Sequence, residues 1–475
     1  MSIRIHRTTR VEVAQSILWG ILLMSFLNGC STPYWRAGHR SDNPAFIAYW
    51  PPHDGSNQLR LAVKDNIDMK GVVTTAGSEY VSGNSPPAAR DAGCLAIARQ
   101  RNVQIVGKAN LSEFAVSPSG INEYFGTPKS PFSKWWLRRF IPGGSSSGSA
   151  AAITQGLADV AFGTDTSGSI RTPAACSGIV GLKTTFGLVP LQGVFPIDSE
   201  HLDTVGPMAK DIAHVVEGMD LLQNGFAERY RAAVAAKPSA EQIKIGRLYL
   251  DRTDPGSLVL GVADPGNLFL DVTDPRSLLL AVTDPRRLFL GGTDPRIDKA
   301  VDKALAQRHF QVITLDEDFK AKWIQAQKDS NIVAAAGAWI SDHKYQYKPG
   351  VSTRTKSVIL LGGILHATQY RKALGRQAEW QRTLNQIFKK VDFIALPTLQ
   401  TLPPTIPPIA NTALLEARVL ATQNTSAVNF AGNPALAIPI PVRHANVPVT
   451  SLQLVGPRLS EAELLNAGRL IEAKP

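Results

Sequence analysis

At 475 residues, with 44 % hydrophobic and 19 % charged residues, the chain can bury a large core and is too apolar to be intrinsically disordered. The formal charge of +11 raises nucleic acid as a partner. Its basic pairs, such as Arg138-Arg139 and Arg286-Arg287, are scattered, no basic run is interleaved with aromatics, and no Cys/His zinc spacing occurs; a solvated basic surface is expected, with no nucleic acid.

Residues 1–29 open with Arg4, Arg7 and Arg10, followed by an apolar stretch of about eleven residues from Ile17 to Leu27. That stretch is short for a spanning helix, which needs about twenty apolar residues. The ending Leu27-Asn28-Gly29-Cys30 resembles a bacterial lipoprotein signal, which implies a lipidated Cys30 and a chain anchored in the bacterial cell envelope, facing the periplasm or exterior. An uncleaved anchor or an ordinary signal peptide are the alternatives. Residues 30–55 then read as a polar tether, and 56–475 as one domain. The other cysteines, Cys94 and Cys176, are too few for a disulfide framework, and Cys176 reads as a buried structural thiol.

From Leu59 onward, short apolar runs alternate with helical stretches. Leu61-Ala62-Val63 predicts a strand, 93–100 a helix, and 103–107 a strand. Helical spacing returns at 150–156, 212–222 and 297–306, and strand-like runs at 243–250 and 393–396. The alternation predicts an α/β protein with a mixed central sheet flanked by helices on both faces. Between Leu248 and Ile297 a ten-residue unit recurs five times, each copy carrying Asp-Pro. Asp followed by Pro suits a helix N-cap and first turn, and Leu-x-Leu suits a strand end. Each unit therefore reads as a copied strand-to-helix junction, either expanded neutrally within a surface loop or displayed as a binding surface.

The densest chemical signal lies in two loops, Gly143-Gly144-Ser145-Ser146-Ser147-Gly148-Ser149 and Gly163-Thr164-Asp165-Thr166-Ser167-Gly168-Ser169-Ile170-Arg171. Glycines let backbone N–H groups converge on one oxygen, as an oxyanion requires, and the serines supply candidate nucleophiles. Gly144-Ser145-Ser146-Ser147-Gly148 also fits the G-x-S-x-G elbow of α/β-hydrolases, which needs a buried strand immediately before the serine; two arginines stand in that stretch.

These loops, together with Leu61-Ala62-Val63-Lys64-Asp65-Asn66-Ile67, Val106-Gly107-Lys108-Ala109-Asn110-Leu111-Ser112-Glu113-Phe114, Gly178-Ile179-Val180-Gly181-Leu182-Lys183, Asp203-Thr204-Val205-Gly206-Pro207-Met208-Ala209 and Asn429-Phe430-Ala431-Gly432-Asn433-Pro434-Ala435, resemble the amidase signature family. The resemblance spans about residues 59–475, interrupted by the decapeptide repeats at 248–297. It implies an amidase that cleaves a small-molecule or peptide amide without cofactor or metal. It places the base on Lys64, a bridging serine on Ser145 and the nucleophile on Ser169. Oxyanion donors would be the backbone N–H groups of Thr166, Ser167, Gly168 and Ser169, with Ser119 and Gly120 bordering the substrate. A lysine acts as a base only when neutral, so Lys64 must be buried. Asp165 and Arg171 are expected to hold the second loop in shape, and Lys108 and Lys183 to be structural. Serine at 167 departs from the family's usual glycine, and the helical region that usually precedes the lysine strand is shortened. A glutaminase subunit of a tRNA-dependent amidotransferase is the enzymatic alternative, and a non-catalytic surface lipoprotein the non-enzymatic one.

Overall fold

The computed structural model describes residues 42–52, 58–134, 139–250, 294–406 and 412–472. Its strands are β1 (Phe46–Tyr49), β2 (Arg60–Lys64), β3 (Gln104–Ala109), β4 (Val160–Asp165), β5 (Val180–Lys183), β6 (Thr204–Ala209), β7 (Lys244–Arg247), β8 (Gln311–Thr314), β9 (Phe393–Pro397), β10 (Ala435–Pro441) and β11 (Val449–Val455). The main helices are α1 (Ser147–Thr154), α2 (Arg171–Ser177), α3 (Ile212–Asp220), α4 (Phe226–Ala236), α5 (Pro295–Ala306), α6 (Glu317–Asp342), α7 (Thr353–Thr368), α8 (Gln377–Ile387), α9 (Thr412–Thr422), α10 (Ser426–Ala431) and α11 (Glu461–Glu472).

The strands form one sheet in the order β1-β3-β2-β4-β6-β5-β10-β11-β9-β7-β8. It is mixed, as expected. β2 lies parallel to both β3 and β4, β4 runs antiparallel to β6, and β7 is parallel to β8 and β9. Side chains alternate between faces, so one strand serves two cores. Leu61 and Val63 join the cluster under α3, α4, α5 and α11, while Ala62 joins the cluster under α1 and α2. Farther along, Phe393 and Ala395 pack on the first face, and Ile394 and Leu396 pack with α6, α8 and α10 on the other. Helices therefore cover both faces, and the central strands carry near-continuous apolar runs because neither side meets water.

Each strand expected from apolar runs is present, with ends shifted by one to three residues. The run at 243–250 is shorter as a strand than as a buried segment: β7 ends at Arg247, yet Leu248 and Leu250 stay buried and the Leu248 N–H still donates to Ala395 O at 3.0 Å. The expected helix at 297–306 begins earlier, at Pro295, because Asp294 caps it by accepting from Arg296 N–H and Pro295 fills the first turn. The Asp-Pro reading of the last repeat unit is therefore correct as local structure. The rest of the repeats, residues 251–293, lie outside the described residues, as do the expected signal segment 1–29 and Cys30. Among the described residues, no helix is long and apolar enough to cross a membrane.

Candidate active site

Lys64 ends β2 on the same face as Ala62, under α1 and α2. It is fully buried, and its ammonium nitrogen Nζ lies 2.7 Å from Ser145 Oγ and 2.7 Å from Thr164 Oγ1. Asn66 Nδ2 donates to the same Thr164 oxygen at 3.1 Å, so Thr164 fixes the lysine from the neighbouring strand β4. Burial lowers the Lys64 pKa to about 7, against the carboxylates of Asp165 and Asp203, which pull it back up. The simplest alternative, a strand-end lysine paired with Asp65, is not what the fold makes. Asp65 pairs instead with Lys108, at 2.9 Å and buried, and Lys108 Nζ also donates to Ile67 O at 2.6 Å.

Ser145 sits at the base of α1. Gly143 adopts φ +74°, and a Cβ there would lie 2.8 Å from Pro173 Cα and 2.9 Å from Cys176 Sγ, so only glycine fits this approach. The Gly144–Ser145 peptide is cis, Gly144 N–H donates to Pro118 O at 2.8 Å, and Ser145 O accepts from Ser112 N–H at 3.2 Å. Residues 139–146 form no strand leading into Ser145, so the α/β-hydrolase elbow is absent. Ser146 N–H donates to Ser169 O at 3.1 Å, which ties the first serine loop to the second one residue beyond Ser145. Ser169, half-buried, stands between the end of β4 and the start of α2.

Asp165 organises that second loop. Its carboxylate accepts from Gly168 N–H at 2.7 Å, Ile170 N–H at 3.1 Å, Arg171 Nε at 3.0 Å and Nη2 at 2.9 Å, and Asn429 Nδ2 at 2.9 Å. Burial works to raise its pKa, but Arg171, with Lys183 and Asn429, holds the carboxyl well below the usual range. Arg171, fully buried, also donates to Thr425 O and to Gln453 Oε1. The expected shaping role of this pair is thus visible as geometry. Four of the nearby partners carried no expected role: Thr164, Asp203, Thr425 and Asn429. Asp203 Oδ1 accepts from Thr166 Oγ1 at 2.6 Å and Oδ2 from the N–H groups of Ile197 and Asp198. Burial pushes its pKa up to about 6. Asp203 and Asn429 lie within the family-like motifs, where the only signal available was a polar residue inside an otherwise apolar run.

The four expected oxyanion donors are together on this loop, but they are not equivalent. Gly168 N–H is held by Asp165, whereas Thr166, Ser167 and Ser169 are the remaining three. Ser119 is completely buried and Gly120 packs on the first loop, where an added Cβ would sit 2.2 Å from Gly143 O. Lys183 is buried against the carbonyls of Thr184 and Asn433, and burial pushes the Cys176 thiol to about 12, an inert state.

The Amidase family's sequence profile matches residues 59–256 and 317–465. The chain belongs to this family. The interval that the profile skips contains four of the five decapeptide units. Among similar proteins is a glutamyl-tRNA(Gln) amidotransferase subunit of Natronomonas pharaonis, 33 % identical over 431 residues that cover 88 % of this chain and 96 % of the relative. Another is 2-amino-5-chloromuconic acid deaminase of Comamonas testosteroni, 30 % identical over 87 % of this chain and 81 % of that protein. In fold, this amidase resembles the corresponding glutamyl-tRNA(Gln) amidotransferase subunit from Thermotoga maritima, with a TM-score of 0.66 at 22 % identity over 97 % and 92 % of the two chains. It also resembles allophanate hydrolase of Kluyveromyces lactis, with a TM-score of 0.68 at 19 % identity over 98 % of this chain and 70 % of the other. Family membership makes the chain an enzyme, an amidase.

The relatives also correct one expectation. Several relatives, similar over most of their length, are glutamyl-tRNA(Gln) amidotransferase subunits. That contradicts the lipid-anchored, outward-facing envelope location expected from Leu27-Asn28-Gly29-Cys30, and neither a lipid anchor at Cys30 nor a membrane partner finds support. A basic n-region with a short apolar run is a compositional signal that needs no particular tertiary context.

Proposed function

We propose that this amidase hydrolyses a carboxylic amide C–N bond through an acyl-enzyme on Ser169. The observation that carries the reading is the 2.7 Å contact between Ser145 Oγ and a fully buried Lys64 whose pKa is lowered to about 7. Neutral Lys64 accepts the Ser145 proton as Ser145 takes the proton of Ser169, and Ser169 Oγ attacks the amide carbonyl. The N–H groups of Thr166, Ser167 and Ser169 face the developing oxyanion, and Gly168 N–H, held by Asp165, keeps the loop in shape. The relay then returns the proton to the departing nitrogen as the C–N bond breaks. Water, activated by the same relay, attacks the ester and releases the acid and Ser169.

Primary amides of peptides, fatty acids and aryl acids all fit this chemistry. A glutaminase that works together with partner chains is the second reading, favoured by the similarity to amidotransferase subunits. A fluorophosphonate probe and a screen of primary amides, glutamine included, separate them. Ser169→Ala removes labelling, while Ser145→Ala and Lys64→Ala slow it by roughly 10²–10⁴-fold with the fold intact. Undiminished labelling of Ser169→Ala would mean that the nucleophile lies elsewhere. Hydrolysis of glutamine alone, dependent on added partner chains, favours the second reading.

A further inference from the structure

Ser119, expected at the border of the substrate, has its hydroxyl bonded within the protein. Ser119 Oγ donates to Glu416 Oε1 at 2.5 Å, and Ser119 N–H donates to Glu416 Oε2 at 3.1 Å. Glu416 belongs to α9, 297 residues further along the chain. Its carboxylate has a third partner, Arg354 Nη1 at 3.2 Å, and Arg354, nearly buried at the start of α7, pairs through Nη2 with Glu123 at 3.0 Å. One carboxylate thus grips both polar groups of Ser119 while a cation holds it in place, and a charged acceptor makes such bonds strong.

What Ser119 holds is the turn under the relay serine. Pro118 O accepts the N–H of Gly144, the residue before Ser145. Ser112 Oγ donates to Ser117 O at 2.9 Å, and Ser112 N–H donates to Ser145 O. The turn at 117–120 therefore holds the residue before Ser145 directly, through Pro118 O, and reaches the Ser145 carbonyl through Ser112. No slack is left, because a Cβ on Gly120 would already overlap Gly143 O and meet Ser147 Cβ at 2.8 Å. A displacement of the turn is passed directly to the Ser145 backbone, and hence to its 2.7 Å contact with Lys64.

We propose that Glu416 is a positioning residue for Ser145: with Arg354 behind it, it locks the turn at residues 117–120 and so fixes the relay hydroxyl against Lys64. Ser119 then serves to hold the turn and does not bind substrate. The proposal rests on the relay reading given above. Glu416 touches neither Lys64 nor Ser169, so its effect is on geometry and leaves the protonation of Lys64 alone.

Two readouts on the full chain test it: the second-order rate of fluorophosphonate labelling between pH 5.5 and 9, and hydrogen–deuterium exchange in the peptide spanning Gly144. Glu416→Ala lowers the labelling plateau by about 10–100-fold, the scale on which small misplacements of reacting groups act, without moving its pH midpoint. It also speeds exchange at Gly144. Glu416→Gln, whose single carbonyl oxygen keeps one of the two bonds from Ser119, recovers part of the rate and falls between Glu416→Ala and wild type. If Glu416→Ala does not yield folded protein, Ser119→Ala, which removes one arm of the grip, is measured in its place and lowers the plateau in the same way. Wild-type labelling in either alanine variant, or slowed labelling with unchanged exchange at Gly144, overturns the proposal. A shifted pH midpoint overturns it too, since that means Glu416 acts on Lys64 through charge. A wild-type protein that the probe leaves unlabelled removes the relay reading instead, and the exchange at Gly144 then decides alone whether Glu416 braces the loop.

Discussion

Lys64 concentrates the physics of this enzyme in one nitrogen. Its pKa of about 7 follows from burial, so the fraction able to accept a proton rises about tenfold per pH unit below that value and levels off above it. Labelling of Ser169 should trace that curve. The same shift has a consequence for stability. Between about pH 7 and the ordinary lysine value near 10.5, the unfolded chain holds a proton that the folded chain has released. Stability therefore rises with pH across that window, and the gain is given up progressively as pH falls from about 10.5 and is gone by about 7. Lys183, also lowered to about 7 by burial, acts in the same direction. Lys64→Met should remove one of the two contributions, flattening the rise in denaturant midpoint from pH 7 to pH 9 while abolishing activity. An unchanged slope in this variant would show that Lys64 keeps its proton in the fold. Cys176, by contrast, should resist alkylation in the native state, because its thiol is buried and its pKa pushed to about 12.

At the scale of elements, the second serine loop depends on a glycine and an ion pair. Gly168 adopts φ +134°, and a Cβ there would lie 2.2 Å from Thr425 Oγ1. Gly168→Ala should therefore cost about 1–3 kcal/mol in backbone strain, with the steric clash in addition, and remove labelling; wild-type melting and activity would refute the geometry. Arg171→Met leaves the Asp165 carboxylate buried without its cation, and losing one partner of a buried pair costs about 3–5 kcal/mol. The expected result is a lower melting temperature together with loss of probe labelling, because Asp165 also holds the N–H groups of Gly168 and Ile170. Both loops were legible in the sequence as glycine-serine runs held between apolar segments. Their supports were not, since Thr425, Asn429 and Gln453 come from the N-terminal edge of α10, from α10 itself and from β11, far along the chain.

For the whole molecule, the decapeptide repeats test the domain boundary. Leu248, Leu250 and Ile297 are buried, so the residues that flank the insertion belong to the core. Asp294 and Pro295 begin α5, which makes the last Asp-Pro the copy to keep. Removing residues 254–293 joins Thr253 to Asp294 in register and leaves one complete unit. Closing a shorter loop costs less entropy, roughly 0.6 kcal/mol for each halving, so the shortened enzyme should fold, keep its labelling and unfold at equal or higher denaturant. Insoluble protein, or a folded deletion that no longer labels, would place the repeats in the core or the active site.

The sequence by itself determined the fold class and the family, and it singled out Lys64, Ser145 and Ser169 as candidates, because strand periodicity, glycine-dependent loops and ordered motifs are local properties of the chain. It also misled locally. The first thirty residues have the composition of an export signal, and composition is silent about where a protein resides. Only the tertiary structure decided which groups meet. The sheet order places β2 between β3 and β4, so that Lys64 faces Ser145 and Thr164 and the adjacent Asp65 turns to Lys108. It likewise brings Glu416 to Ser119 across 297 residues. Such pairings depend on which strands lie side by side and which helices cap their ends. They follow from packing the whole core, and no period within one segment encodes them.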